Sequence, residues 1–469
     1  MIYSTLERYK NQVLYTIVYN LLTFVKNLCA TALFQGIYIH TRGDNMLDFL
    51  NKFLCGIVLP AFLILVGIYF LIKLKFFYLL HPLKTAKKMN KGGFKSLSVA
   101  LAGTLGVGNI VGVSSALISG GAGAIFWMWL SAFISMSLKY VEVFLAMKYR
   151  KSNNDGTFYG GAPYYIYEGF KKKLGSRFSK TLACIFAVLC ATNSLTTGNL
   201  VQINAVSTLI PVKKLYFGIV TAFFVLLIII GGIKAISKFT SVAIPTLSVF
   251  YIVLSLYVIL TNIAAVPSVI SSIFKEAFSL KSATSGFLGH GISSAIRYGT
   301  SRGLLSNEAG CGTAPCAHAS SKAKSAHSQG CLGIFEVFVD TILLCTLTAF
   351  VILIADLKCD NAMTLVISSY QLYTFDIGKY GIIASTILFA LATVTCQYYY
   401  GIESLRFITS KSWCKALFTV IFLLTIIIGA IMPMSLMWEI TDLVIALMAL
   451  LNLLCLLGLR NEIKEAPLI

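Results

Sequence analysis

The chain has 469 residues, 57% hydrophobic and only 12% charged, with a mean hydropathy of +0.83. A soluble domain carries about a quarter charged residues, so the composition excludes one and points to an integral membrane protein. The surplus of 38 Lys plus Arg over 18 Asp plus Glu is read as basic residues beside one leaflet rather than as a nucleic-acid surface, because no basic block has a soluble domain to support it.

Residues 1–45 hold a moderately apolar run, Val13 to Ile39, broken by Lys26 and followed by "HTRGDN". A compact apolar core with a small-residue cleavage site is missing, so a signal peptide is not expected. The run is either an extra helix or lies upstream of a true start at Met46, and the second reading is preferred. Residues 46–458 read as one membrane domain and 459–469 as a cytoplasmic tail.

Apolar runs of roughly 18 or more residues read as spanning helices. About eleven are expected, near 55–76, 96–119, 122–147, 179–209, 215–233, 240–262, 286–312, 331–355, 380–408, 413–431 and 435–458. Lys73, Lys75, Lys84, Lys87, Lys88, Lys91 and Lys95 follow the first span, and Lys148, Arg150, Lys151, Lys171, Lys172, Lys173, Arg177 and Lys180 follow the third. Lys322, Lys324, Arg406, Lys411 and Lys415 fall on the same side. The richer side is cytoplasmic by the positive-inside rule, which puts the C-terminus in the cytoplasm of a multi-pass cell-membrane protein.

The second span contains "GTLGVGNIVGV". Irregular backbone survives in hydrocarbon only where it lines a cavity or is buried in protein. Glycines remove the steric cost of leaving helical geometry, and Asn109 adds an amide. A break there would point free N–H groups of the half beginning near Ile110 at a carboxylate, and free carbonyls of the half ending near Leu105 at Na⁺. Close helix packing alone would also use Gly108 and Gly112. The seventh span, "IRYGTSRGLLSNEAGCGTAP", has Gly299, Gly303, Gly310 and Gly312. Beside this bend, Ser306 and Asn307 are ligand candidates, while Glu308 is either functional or the partner of an arginine. Two broken helices five spans apart have opposite orientation, the arrangement of inverted-repeat transporters; the repeats would be about 96–262 and 286–458.

Other polar positions inside spans are Asn199, Gln202 and Asn204, with Asn199 and Gln202 expected on one face. Glu336 and Asp340 are spaced i, i+4 and so share a face, either as a pair that binds a cation or relays protons, or with one capping the span near the interface and the other taking a basic partner. Thr393 and Gln397 lie one turn apart, and Tyr398, Tyr399 and Tyr400 read as interfacial anchors or pocket residues. Cys311, Cys316 and His318 lack the spacing of a zinc site. The 12 cysteines are otherwise scattered singly. No HExxH, paired catalytic aspartates or Walker A sequence is present, so neither an enzyme nor an ATP-driven pump is expected.

Together, "GVGNIVGV", "GGAGAIFWMW", "KYVEVFLAMKYR", "GNLVQINAV", "RGLLSNEAGCGTAPCAHA", "FVDTILLCTLTAFVIL" and "QYYYG" resemble the alanine or glycine:cation symporters, from about Met46 to the end. The resemblance implies an all-α, leucine-transporter-type fold: one leading helix, then two inverted five-helix repeats. It implies Na⁺- or H⁺-coupled uptake of small neutral amino acids, with no cofactor beyond the transported ion. By position it carries substrate contacts to Gly106, Gly108, Asn109, Gln202, Ser306, Asn307 and Thr393, with Gln397 on the pocket wall, and a cation to Ala102, Leu105 and Thr393. Three positions depart from the family pattern. Val107 stands where a threonine is usual, Ala392 where a hydroxyl residue is usual, and Gln397 where a tryptophan is usual. These departures lead to the expectation of a weakened ion site and a more polar substrate, such as serine or glutamine. The oligomeric state is left open.

Overall fold

The computed structural model describes residues 53–89, 91–278 and 292–463; the expectations for residues 1–45 and for most of the C-terminal tail lie outside them. The described chain is almost wholly helical. After a π turn at Leu54–Val58 come α1 (Leu59–Lys73), α2 (Phe94–Thr104), α3 (Val111–Gly120) and α4 (Gly123–Tyr149). Then follow α5 (Ala162–Leu174), α6 (Ser176–Leu195), α7 (Val201–Ser207), α8 (Lys214–Ile230), α9 (Gly232–Thr261) and α10 (Val266–Ala277). The second half holds α11 (Ile292–Asn307), α12 (Pro315–Ala319), α13 (Ala326–Val337), α14 (Thr346–Ala355), α15 (Ala362–Ile408), α16 (Ser412–Ile431) and α17 (Met434–Gly458).

Among the described residues, eight helices are long and apolar enough to cross a membrane, and α2 and α3 form one further span bent by 61°. Outward faces of α8, α9 and α16 expose Phe223, Val253 and Leu424 at half or more of their surface. An apolar exterior of this extent is stable only against lipid or protein. The protein is a multi-pass membrane protein.

Several segments differ from the expected pattern for local reasons. The lysine-rich stretch after α4 is not a plain loop. Lys151–Ser152 pairs antiparallel with Phe158–Tyr159, and α5 follows, bracketed by Gly161 and Gly175 at φ +136° and +80°. Lys171, Lys172 and Lys173 fill the last turn of α5, where cations oppose the helix dipole. The stretch before the ninth expected span is also helical: Asn361 caps α15 by accepting from the Met363 and Thr364 amides. Phe375, at φ 52° and ψ −142°, kinks it. The basic residues grouped by charge also meet in space. Lys148 pairs with Glu462 at 2.8 Å, Arg150 reaches the Ser321 and Ala323 carbonyls, Ser328 bonds the Lys88 carbonyl, and Arg406 bonds Asn153. This is the lysine-rich face.

Candidate functional site

At Leu105 the α2 helix stops, with ψ 80°, and Gly106 is extended at φ −126° and ψ −152°. A 3₁₀ turn, Val107–Asn109, leads into α3. A Cβ on Gly106 would lie 2.6 Å from Gln202 Oε1 and 2.7 Å from Thr393 Oγ1, so only glycine lets α7 and α15 close on the break. The Val107 amide donates to Gln202 Oε1 at 2.9 Å. Thr393 Oγ1 donates to the Phe389 carbonyl at 3.0 Å and approaches the Leu105 carbonyl at 3.3 Å. Ala102 is fully buried one turn earlier, and so is Ala392, which brings no hydroxyl.

A narrow cavity opens beside this break, lined by Gly103, Thr104, Val107, Gly108, Val111, Thr197, Gln202 and Glu308, among others. Of the residues expected at a site, Gly108 and Gln202 line the cavity, and Gly106 sits between Gln202 and Thr393. Gln397 is buried behind Glu308, donating to its Oε1 at 2.9 Å and reaching towards the Gly103 carbonyl at 3.4 Å.

Asn109, Ser306 and Asn307 face elsewhere. Asn109 Nδ2 lies 3.0 Å from Ser306 Oγ and 2.8 Å from Asp340 Oδ1, and Ser306 donates to Asp340 Oδ2 at 2.7 Å. Asn307 bonds Thr341 Oγ1 and accepts from the Ala309 amide. These contacts draw the two broken helices together around Asp340, which lies on the π turn Phe338–Cys345.

The second break follows α11. Glu308, Gly310 and Gly312 have φ of 48°, 91° and 79°, a region that favours glycine and strains Glu308. Glu142 Oε1 accepts from the Gly312 amide at 2.9 Å and from Asn452 at 2.6 Å, and Asn452 also donates to the Gly310 carbonyl. Backbone groups freed by the break are thus satisfied by α4 and α17, as an apolar interior requires.

Several sequence expectations need correction. Glu308 is held by Gln397 and the Thr313 hydroxyl, not by an arginine. Asn199 and Gln202 do not share a face. The π turn Thr196–Leu200 shifts the helical phase, so Asn199 bonds Phe422 and Thr425 on α16 while Gln202 turns to the first break. Glu336 and Asp340 likewise have separate partners. Glu336 pairs with Lys139 at 3.2 Å and His318 at 2.8 Å, all three fully buried. Tyr398, Tyr399 and Tyr400 are buried rather than interfacial. Sequence reasoning overlooked Thr197, Glu142, Asn452 and Lys139. A charged or amide side chain in mid-span was the signal available for the last three.

A multi-pass membrane protein with a polar cavity at a broken helix is the class of molecule these features define. Residues 40–467 match the sodium:alanine symporter family, and the chain belongs to that family. It is 34% identical over 436 residues to the uncharacterized transporter YflA of Bacillus subtilis, covering 89% of this chain and 91% of that protein. It is also 34% identical over 440 residues to the sodium/alanine symporter AgcS of Methanococcus maripaludis, covering 89% and 95%. The probable sodium/glutamine symporter GlnT of Bacillus subtilis is 30% identical over 437 residues, covering 90% of each.

Proposed function

We propose that the protein is a secondary symporter that couples inward Na⁺ flow to uptake of a small neutral amino acid such as alanine or glycine. The observation that carries this reading is the break at Leu105–Asn109. Its N-terminal half ends in carbonyls beside the Thr393 hydroxyl. Its C-terminal half presents the Val107 amide and the start of α3 next to Gln202. Carbonyls suit Na⁺ and a helix start suits a carboxylate. In this reading Ala102, Leu105 and Thr393 hold the cation. Gly106, Gly108 and Gln202 hold the substrate carboxylate, and Asn109, Ser306 and Asn307 keep the two broken helices in register. The eleven spans form a leucine-transporter-type pair of inverted repeats, the lysine-rich face is cytoplasmic, and transport proceeds without covalent chemistry.

A second reading concerns the side chain carried. Gln397 Oε1 is buried without a hydrogen-bond partner, and the Glu308 carboxylate lines the cavity. The carboxylate facing the cavity favours a substrate with a donor, such as serine or glutamine, since a buried acceptor left unmet costs about 1–3 kcal/mol. Ala392 removes a hydroxyl from the cation site, which supports weaker Na⁺ dependence or use of H⁺.

Uptake of labelled alanine, glycine, serine and glutamine into proteoliposomes, with and without an inward Na⁺ gradient, tests both readings. Concentrative uptake that needs the gradient is expected. Uptake that only equilibrates overturns the symport reading, and alanine or glycine outcompeting serine and glutamine overturns the second.

A further inference from the structure

The stretch that joins the first two spans takes no part in lining the cavity. α1 ends at Lys73, and Lys75 and Phe76, at φ 55° and 54°, turn the chain out of its axis. Two short helices follow, Phe77–Leu80 and Pro82–Lys87. One side of the stretch is fastened to the bundle. Phe77, Tyr78 and Thr85 are buried. The Tyr78 hydroxyl donates to the Phe133 carbonyl of α4 at 2.7 Å, and the Phe77 ring meets that of Tyr140 edge-on at 5.2 Å. Further on, Ser328 of α13 donates to the Lys88 carbonyl at 2.7 Å. At the foot of α2, Ser96 donates to the Gly93 carbonyl at 2.8 Å and accepts from Gln329 of α13 at 2.9 Å. Held at its start, middle and end, the stretch keeps its other side outward.

That outward side combines leucine with lysine. Leu80 and Leu83 are 66% and 78% exposed, more than Phe223, Val253 or Leu424 on the outward faces of the spanning helices. Lys84, Lys87 and Lys88 are exposed beside them, and Lys87 stands one helical turn on from Leu83. No Asp or Glu occurs from Phe53 to Val141. Among the described residues no carboxylate pairs with these three lysines, whereas Lys148 and Lys151 on the same face are paired with Glu462 and Glu168. Position and charge together identify what covers this side. The stretch starts where the first span ends, so it lies at the level of the lipid headgroups. Leucines interleaved with lysines suit the boundary between acyl chains and anionic headgroups, where the apolar side chains bury and the ammonium groups reach phosphate. An acidic protein could meet the lysines, but it would also need matching pockets for two leucines that stand on separate short helices. A bilayer meets both without any matching of shape.

We propose that residues 77–89 form an interfacial anchor that binds anionic phospholipid. Leu80 and Leu83 enter the acyl region, and Lys84, Lys87 and Lys88 hold the headgroup phosphate. The bound lipid sits at the foot of α2, the helix whose other end supplies the Leu105 carbonyl at the first break. The inference holds whatever the carrier transports, so its failure and that of the symport reading are separate.

The full chain is reconstituted in vesicles of phosphatidylcholine and phosphatidylglycerol at about 3:1. Electron paramagnetic resonance then compares the association of spin-labelled phosphatidylglycerol with that of spin-labelled phosphatidylcholine. The unaltered protein is expected to prefer phosphatidylglycerol by at least about threefold. Lys84→Gln, Lys87→Gln and Lys88→Gln combined should lose most of that preference, and arginine at the same three positions should keep it. Lys171→Gln, Lys172→Gln and Lys173→Gln combined remove the same charge from α5 on the same face and should leave most of it. Equal loss in the two glutamine variants would mean that the whole face attracts anionic lipid, and overturns the site; an unaltered protein without preference does so too. A second measurement needs no variant. Phosphatidylglycerol carrying a photoactivatable group on its acyl chain is expected to label residues 77–89, Leu80 and Leu83 foremost. Labelling confined to other segments overturns the proposal.

Discussion

At the scale of single residues, the first break depends on one missing Cβ. Gly106→Ala would place a carbon 2.6 Å from Gln202 Oε1 and 2.7 Å from Thr393 Oγ1. Both side chains must retreat, and the Val107–Gln202 hydrogen bond, worth about 1 kcal/mol net, goes with them. Uptake is expected to fall by about tenfold or more, while the melting temperature of the purified protein changes by only a few degrees. Lys139 behaves in the opposite way. Lys139→Met leaves Glu336 buried with only His318, and breaking a buried pair from one side costs about 3–5 kcal/mol. Thermal unfolding in detergent should show a large loss, and adding Glu336→Leu to Lys139→Met should recover much of it. If the double variant melts no higher than the single one, the pair is not the source of the cost.

At the scale of elements, the second break is expensive and pre-satisfied. Gly312 has φ +79° and a Cβ there would meet Phe186 Cζ at 2.7 Å and Asn452 Cγ at 3.1 Å. Gly312→Ala combines left-handed strain of about 1–2 kcal/mol with overlap against α6 and α17. Lower expression and a lower melting temperature are expected, whereas Gly156→Ala, also at positive φ but with open space around it, should show the strain alone. Comparison of the two melting curves separates strain from packing. The glycines and Asn109 made both breaks legible in the sequence, because such residues have few other uses in mid-span. The partners that satisfy the breaks were not legible. Glu142 reaches Gly312 across 170 positions, and Asn452 reaches Glu142 across 310; no local pattern encodes such pairings. The π turns at Thr196–Leu200 and Phe338–Cys345 escaped for another reason. A 3.6-residue period assigns faces correctly only until a turn of different pitch rotates the rest of the helix, which is how Asn199 parted from Gln202.

At the scale of the whole molecule, charge alone separated two faces, and the contacts of Lys148, Arg150, Arg406 and Ser328 draw the basic segments of one face together. The end of the described chain is tied to this face through Glu462, whose carboxyl is held below the usual carboxylate range by hydrogen bonding to Lys148 and then Tyr149, against the opposing effect of burial. A lowered carboxyl contributes stability above its unfolded value near 4.5 and loses it as pH falls through the folded value. The tie is partly exposed, so it is worth under about 1 kcal/mol. Amide hydrogen exchange at 460–463 should therefore be flat above about pH 5 once the intrinsic rate is removed and rise only in more acid solution, whereas Glu462→Gln, which cannot titrate, should exchange faster throughout with no such acid step. An unchanged profile in that variant would show that the tail is anchored by packing instead.

The Val107–Gln202 hydrogen bond has a consequence for affinity. The amide that would greet an incoming carboxylate is already occupied by a neutral oxygen of the protein itself. A ligand there exchanges one acceptor for another, gaining only the difference between a charged and a neutral hydrogen bond, about 1 kcal/mol. When the ligand departs, Gln202 returns and no donor is left bare. With the substrate carboxylate bound there, as proposed above, the barrier to leaving would stay low, and a carrier built this way would trade tightness of grip for rate of turnover.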